Sequence, residues 1–188
     1  MADFSLISAP PLAGHDQTIG DTRLFAPADL ALVSVALPLG GESAAIKAIK
    51  TAYGADLPDP GKSVVAKDGV RLVRLGPDQG FVIFQHPSPD ANEVVNAKLS
   101  SKVYTTDQTD VWTALAVQGP RSRTALERIC PLDLHPEAFA VDDAARTVME
   151  HLGTLIIRTD TDGYLLLSAS SSAKSFLHAI ETSLHNVS

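Results

Sequence analysis

The chain of 188 residues is 45% hydrophobic and 20% charged, so it can bury a core, and disorder throughout the chain is excluded. Its formal net charge of −7 at pH 7 lacks the basic footprint that nucleic acid requires and disfavours an anionic membrane surface. We therefore expect neither nucleic acid nor a membrane as a partner.

The only cysteine is Cys130, so no disulfide can form within the chain. A protein without disulfides is typical of a reducing compartment. Nowhere do 18 apolar residues follow one another, which excludes a membrane-spanning helix of ordinary length. We expect a cytoplasmic protein.

The first half of the chain predicts an N-terminal arm and one lobe. Residues 1–29 are expected to be an irregular arm lying across a surface, because Pro10 and Pro11 oppose regular structure and apolar residues are sparse. Residues 30–109 predict a first α+β lobe. Its predicted elements are a strand at 30–39, a helix at 43–53, a loop at 55–63, strands at 70–75 and 81–85, a helix at 88–100 and a strand at 103–107.

Residues 110–188 predict a second α+β lobe that starts in the same way. Its predicted elements are a strand at 111–118, a helix at 119–129, a connector at 130–142, strands at 147–151, 153–158 and 164–167, and a helix at 172–185. The order of elements in the first lobe is that of a split βαβ unit. The fold class we predict is α+β, with two tandem ferredoxin-like (split βαβ) units that share a sheet or pack face to face.

Standard signatures of catalysis are absent from the sequence. It has no G-x-G-x-x-G, no phosphate loop of the form G-x-x-x-x-G-K-[ST], no G-x-S-x-G and no H-E-x-x-H. The six histidines show no metal-binding spacing, and His178 and His185 are expected to be solvated on the last helix. Cys130 and His135 are close in sequence, but Cys130 lies at a predicted helix C-terminus, where the helix dipole disfavours a thiolate. The sequence predicts no catalytic residue and no metal site.

Four residues are weak candidates for ligand binding. Asp107, Asp110 and Trp112 lie in a polar cluster between two predicted strands, where a carboxylate is suited to a cationic amine or the edge of a pterin. The alternative is a turn in which the carboxylates accept backbone N–H groups and Trp112 is a packing anchor. Arg121 follows Gly119-Pro120 at a predicted helix N-terminus, a possible anion site, although it is equally suited to an acidic group on a partner subunit.

Six stretches of the chain together resemble one family, the gamma subunit of bacterial heterotetrameric sarcosine oxidase. In chain order they are SAPPLAGHDQTIGDTRL (8–24), RLGPDQGFVIF (74–84), VYTTDQTDVW (103–112), LAVQGPRSRTAL (115–126), CPLDLHPEAF (130–139) and ARTVMEHLG (145–153). Each stretch alone is unspecific, but the ordered set covers most of the chain. The resemblance implies a fold similar to the folate-binding domain of glycine-cleavage aminomethyltransferases, which agrees with the tandem α+β prediction.

The resemblance also implies a function. In that family the complex demethylates sarcosine oxidatively to glycine, and tetrahydrofolate accepts the one-carbon unit. The FAD, FMN, NAD and folate sites belong to the alpha and beta subunits. This chain is then expected to be a non-catalytic subunit without a cofactor of its own, assembled with the alpha, beta and delta subunits and mainly with alpha. Three alternatives stay open: the equivalent subunit of a related N-methyl amino acid demethylase, a free-standing folate- or pterin-binding protein, and a ligand-sensing α+β module without enzymatic context.

Overall fold

The computed structural model describes residues 9–188, which form an α+β protein with helices on the outside of two sheets. The strands are β1 (Asp16–Ile19), β2 (Thr22–Phe25), β3 (Leu30–Ala36), β4 (Lys62–Val65), β5 (Arg71–Arg74), β6 (Gln79–Gln85), β7 (Tyr104–Asp107), β8 (Trp112–Gln118), β9 (Ala144–Met149), β10 (Leu152–Asp160) and β11 (Gly163–Ala169). The α-helices are α1 (Glu42–Tyr53), α2 (Ala91–Lys98), α3 (Ser122–Glu127) and α4 (Ala173–His185), and short 3₁₀ turns occupy Thr109–Val111 and Ser170–Ser172. The α+β class predicted from the sequence is confirmed.

Within the described residues, the strands form two antiparallel sheets. The five-stranded sheet has the order β4-β5-β6-β3-β7, and the six-stranded sheet has the order β1-β2-β8-β11-β10-β9. If the second order is reversed, five of its strands correspond to the five-stranded sheet, with β8 in the place of β3 and β2 in the place of β7, and β1 is an additional edge strand. Each half of the chain therefore builds its own sheet, except that β1 and β2 come from the N-terminal segment.

The prediction of an irregular arm at 1–29 is wrong for residues 16–25. They form the β1–β2 hairpin, and β2 pairs with β8 through Leu24 opposite Val117. Thr22 and Leu24 are 0% exposed, so this segment belongs to the core. The hairpin was missed because its strands have four residues each and bury one face only, which leaves too few apolar residues for a pattern. Residues 1–8 of the arm lie outside the described residues.

Other boundaries also differ from the prediction. The strand predicted at 147–151 is β9 (Ala144–Met149), and the helix predicted at 119–129 is α3 (Ser122–Glu127). Lys62–Val65 is strand β4, although the predicted loop extends to residue 63; it is an edge strand with one buried residue, Ser63. The second helix begins at Ala91, and not at residue 88.

The core has three layers of apolar contact. One cluster lies between the five-stranded sheet and helices α1 and α2, and another lies between the six-stranded sheet and helices α3 and α4. The third joins the inner faces of the two sheets, where Leu32 and Phe81 meet Leu155 and Ile157. Since each large apolar side chain contributes about 1.5–3 kcal/mol on full burial, this central cluster holds the two halves face to face.

Polar contacts also join the sheets at the β4 edge. The Ser63 N–H donates to the carbonyl oxygen of Asp142 over 2.7 Å, and Arg71 Nη1 donates to Asp142 Oδ1 over 2.6 Å. Lys62 forms an ion pair with Asp143. These contacts attach the β4 edge to the segment that leads into β9.

Candidate functional site

The chain crosses from the five-stranded to the six-stranded sheet at residues 107–112, which contain three of the four candidate residues. The Thr109 N–H donates to Asp107 Oδ1 over 2.8 Å, which closes the turn after β7. Thr109 Oγ1 accepts the Leu32 N–H over 3.1 Å and so anchors the turn to β3. The crossover is therefore fixed to the five-stranded sheet before the chain enters β8 at Trp112.

An open groove of about 730 Å³ lies beside this crossover. We call it the crossover groove. Its walls are Ala9–Leu12, Ala26 and Pro27, Asp29, Leu30 and Leu32, His86–Pro89, Asp107, Thr109 and Asp110, Trp112–Ala114, and Ser170 and Ser171. The structure thus brings Asp107, Asp110 and Trp112 together in one concave surface, of a size that falls within the range of ligand-binding pockets.

The charges in the crossover groove are mostly negative. Asp29, Asp107 and Asp110 line it, and none of its described lining residues is lysine or arginine. His86 also lines the groove and lies 2.7 Å from Asp90 Oδ1 through its Nε2. Hydrogen bonds from the Ser88 hydroxyl and from His86 lower the pKa of Asp90, so this neighbouring carboxyl is ionised at neutral pH.

The ring of Trp112 packs against an aromatic neighbour, whereas its indole N–H has no hydrogen-bond partner among the described residues. Its ring meets Phe81 edge to face with centroids 6.0 Å apart, which is the packing role given above as the alternative to ligand binding. Its indole Nε1 is buried and has no hydrogen-bond acceptor among the described residues, and the same holds for the hydroxyl of Thr113, which is 1% exposed. A buried donor without an acceptor costs free energy. These two atoms leave hydrogen-bonding capacity unused beside the crossover groove.

Arg121 lies apart from the other three candidates. It precedes α3, its side chain is exposed, and its N–H donates to Thr22 Oγ1 over 3.2 Å. It does not line the crossover groove. Gly119, just before it, has φ +140°, and an added Cβ would lie 2.5 Å from the carbonyl oxygen of Asp21. The Gly-Pro turn thus serves the close packing of the β1–β2 hairpin.

The cysteine and histidines show other surroundings. Cys130 is buried and its Sγ lies 3.5 Å from Thr147 Oγ1, whereas His135 is exposed and contacts Glu137. Residues 9–188 contain no group of three or more side chains suited to hold a metal ion. His178 lines a second groove of about 480 Å³ with Arg128, Glu150 and His151, and His185 does not line it.

Sequence reasoning missed two residues of the crossover groove, Asp29 and His86. Asp29 ends the N-terminal segment in a left-handed conformation with φ +52°, and its carbonyl oxygen accepts the His86 N–H over 2.7 Å. Neither residue stands near residues 107–112 in the sequence. Only the pairing of β3 with both β6 and β7 brings them there.

No helix of the described residues is long and apolar enough to cross a membrane. No protein-family model matches the chain.

Comparison of sequences reveals similarity to proteins named sarcosine oxidase subunit gamma. The protein of that name from Arthrobacter sp. is 32% identical over 126 residues, which are 66% of this chain and 62% of that protein. The matched region is thus less than two thirds of the relative's length. The resemblance predicted from the sequence motifs is confirmed.

Comparison with solved structures finds similar folds in two related proteins. A chain of heterotetrameric sarcosine oxidase from Corynebacterium sp. U-96, in complex with pyrrole 2-carboxylate, matches with a TM-score of 0.78 and 22% identity, over 94% of this chain and 90% of that chain. Aminomethyltransferase T of the glycine cleavage system from Bartonella henselae matches with a TM-score of 0.62 and 17% identity, over 85% of this chain and 45% of that chain. These two likenesses establish a shared fold.

Proposed function

We propose that this chain is a non-catalytic, gamma-type subunit of a heterotetrameric sarcosine oxidase. The observation that carries the proposal is the agreement of two comparisons: the 32% identical relative is named as this subunit, and a chain of the heterotetrameric complex has the same fold over 94% of this chain. The complex oxidises sarcosine to glycine and passes the one-carbon unit to tetrahydrofolate. The partners of this chain are the alpha, beta and delta subunits, mainly alpha, and the complex works in the cytoplasm.

The proposal assigns the redox chemistry to the other subunits. FAD, FMN, NAD and the folate belong there, and this chain contributes a folded surface for assembly. The equivalent subunit of a related N-methyl amino acid demethylase has the same role, because the amine site lies on another chain.

A second proposal concerns the topology of the two halves. We infer that the two halves are tandem split βαβ units. The order β5-β6-β3-β7 supports this for the first half, because it is the order of a split βαβ sheet with β4 added at the edge. In the second half the order β10-β11-β8-β2 is equivalent, with β2 of the N-terminal hairpin as the fourth strand.

Co-expression tests the assembly role. The chain is produced with the alpha, beta and delta subunits of a sarcosine oxidase, and the complex is captured through a tag on this chain. We expect a flavin-coloured complex that contains all four subunits and oxidises sarcosine. A colourless, monodisperse chain that leaves the other three behind contradicts the proposal.

A second candidate function is a free-standing folate- or pterin-binding protein, which the size of the crossover groove favours. Titration of the full chain with tetrahydrofolate in a calorimeter tests it. Saturable heat that Asp110→Ala abolishes, and that Asp68→Ala at the β4–β5 turn leaves unchanged, would support this function. Absence of heat at millimolar folate would exclude it.

A further inference from the structure

The crossover groove combines negative charge with apolar walls. Asp29, Asp107 and Asp110 are exposed at its surface, and the described residues that line it include no lysine or arginine. Leu30, Leu32, Ala114 and the prolines at 10, 11, 27, 87 and 89 supply the apolar part of its walls. A surface of this kind complements a positive charge carried on an apolar stem.

The carboxylates retain free acceptor capacity. Within residues 9–188, Asp110 and the side chain of Asp29 form no hydrogen bond or ion pair, and Asp107 accepts one hydrogen bond, from the Thr109 N–H. By contrast, Asp16, Asp56 and Asp143 are each paired with a basic side chain. None of the three groove carboxylates forms an ion pair within residues 9–188, so they are available to cations from outside.

The aromatic ring beside these carboxylates favours the same class of group. Trp112 lines the groove, and the face of an indole ring attracts ammonium and guanidinium groups. Thr113 also lines the groove, and its buried hydroxyl has no hydrogen-bond partner among the described residues.

We propose that the crossover groove is the docking site for a segment of the alpha subunit, the main partner under the proposed function. This segment places a lysine or arginine against Asp107 and Asp110. The inference rests on the proposed function, since it names the surface through which this chain joins its complex. The volume of about 730 Å³ exceeds that of one basic side chain, so the flanking residues of the segment fill the rest of the groove. A protein segment therefore fits the groove better than a small free amine.

The test compares two double variants in the four-subunit complex. Asp107→Asn/Asp110→Asn changes the groove, and Asn keeps the acceptor that closes the turn at Thr109. Asp59→Asn/Asp68→Asn is the matched control, with the same change in net charge near β4, at the opposite edge of the five-stranded sheet from β7. Affinity of each chain for the other three subunits is measured by biolayer interferometry at 50 and 300 mM NaCl, after circular dichroism has verified that both variants are folded.

We expect the groove variant to bind about tenfold more weakly than wild type at 50 mM NaCl, with a smaller difference at 300 mM because salt screens exposed charges. The control variant should bind like wild type. If the groove variant and the control bind equally well, the docking inference is overturned while the proposed function stands. If the wild-type chain does not bind the other subunits, the proposed function fails and the inference fails with it.

A second arm separates a protein segment from a small amine. The full chain is titrated with N-acetyl-lysine methylamide, and the fluorescence of Trp112, the only tryptophan of the chain, is followed. We expect at most a weak, non-saturating change below 10 mM of this probe, by the reasoning that one side chain fills little of the groove. Tight saturation together with unaltered assembly of the groove variant would make the groove a small-molecule site and overturn the docking inference.

Discussion

Arg158 is the residue whose replacement we expect to be most informative about stability. It lies on β10 and is 3% exposed. Its guanidinium donates to the carbonyl oxygens of Phe139 (Nη1, 2.6 Å), Thr161 (Nη2, 2.6 Å) and Asp160 (Nε, 3.3 Å). One cation thereby holds the end of the 130–142 connector and the β10–β11 turn against the same strand.

The expected magnitude follows from these contacts. A hydrogen bond that involves a charged group contributes about 1.5–3 kcal/mol, so the two 2.6 Å bonds together account for about 3–6 kcal/mol. Arg158→Met also removes the cost of burying a cation, which offsets part of that loss. We expect the free energy of unfolding to fall by about 3 kcal/mol, or the urea midpoint by about 1.5 M for a slope near 2 kcal/mol per M.

Urea unfolding followed by circular dichroism measures this change. Arg146→Met is the matched control, because Arg146 is exposed on β9 and the same substitution there removes no buried contact. Arg158→Lys should recover little of the stability, since one ammonium cannot reproduce a planar fork that reaches carbonyl groups on separate segments. If the free energies of unfolding of Arg158→Met and Arg146→Met differ by less than about 1 kcal/mol, the buried contacts of Arg158 do not stabilise the fold as argued.

Three further predictions concern the buried hairpin, the Gly119-Pro120 turn that packs against it and a buried phenol. Leu24→Ala, at a 0% exposed position of β2, should lower the free energy of unfolding by about 2–5 kcal/mol in the same urea assay. A change as small as that at an exposed site would contradict the burial of residues 16–25 in the core. Gly119→Ala should cost about 1–3 kcal/mol, because its Cβ would lie 2.5 Å from the Asp21 carbonyl oxygen; full retention of stability would contradict this close packing. Burial raises the pKa of Tyr53 to about 12, so its contribution to stability is fully present below the unfolded-state value of 10.0 and is lost as the pH rises towards 12. In thermal melts between pH 10 and 12, the Tyr53→Phe variant should therefore lose less stability than the wild-type chain. Identical pH profiles for the two chains would contradict the raised pKa of Tyr53.

The candidate site was only partly accessible from the sequence. Asp107, Asp110 and Trp112 are contiguous, so one polar stretch between two strands was enough to single them out. Asp29 and His86 were not found, because they reach the crossover groove only through strand pairing. Arg121 was placed correctly at the start of a helix, but local sequence does not tell which end of a sheet that helix start occupies.

The sequence by itself determined the α+β class and the ordered motifs that resemble the gamma subunits. These properties depend on local periodicity, turn residues and short motifs, which neighbouring residues carry among themselves. The tertiary structure alone decided that β2 completes the six-stranded sheet beside β8 and that Arg158 is a buried cation serving two segments. It also decided that acidic residues from separate segments of the chain share one groove. The physical reason is that sheet pairing joins residues far apart in the chain, such as Leu32 and Thr109, which lie 77 positions apart, and no local pattern encodes such a partner.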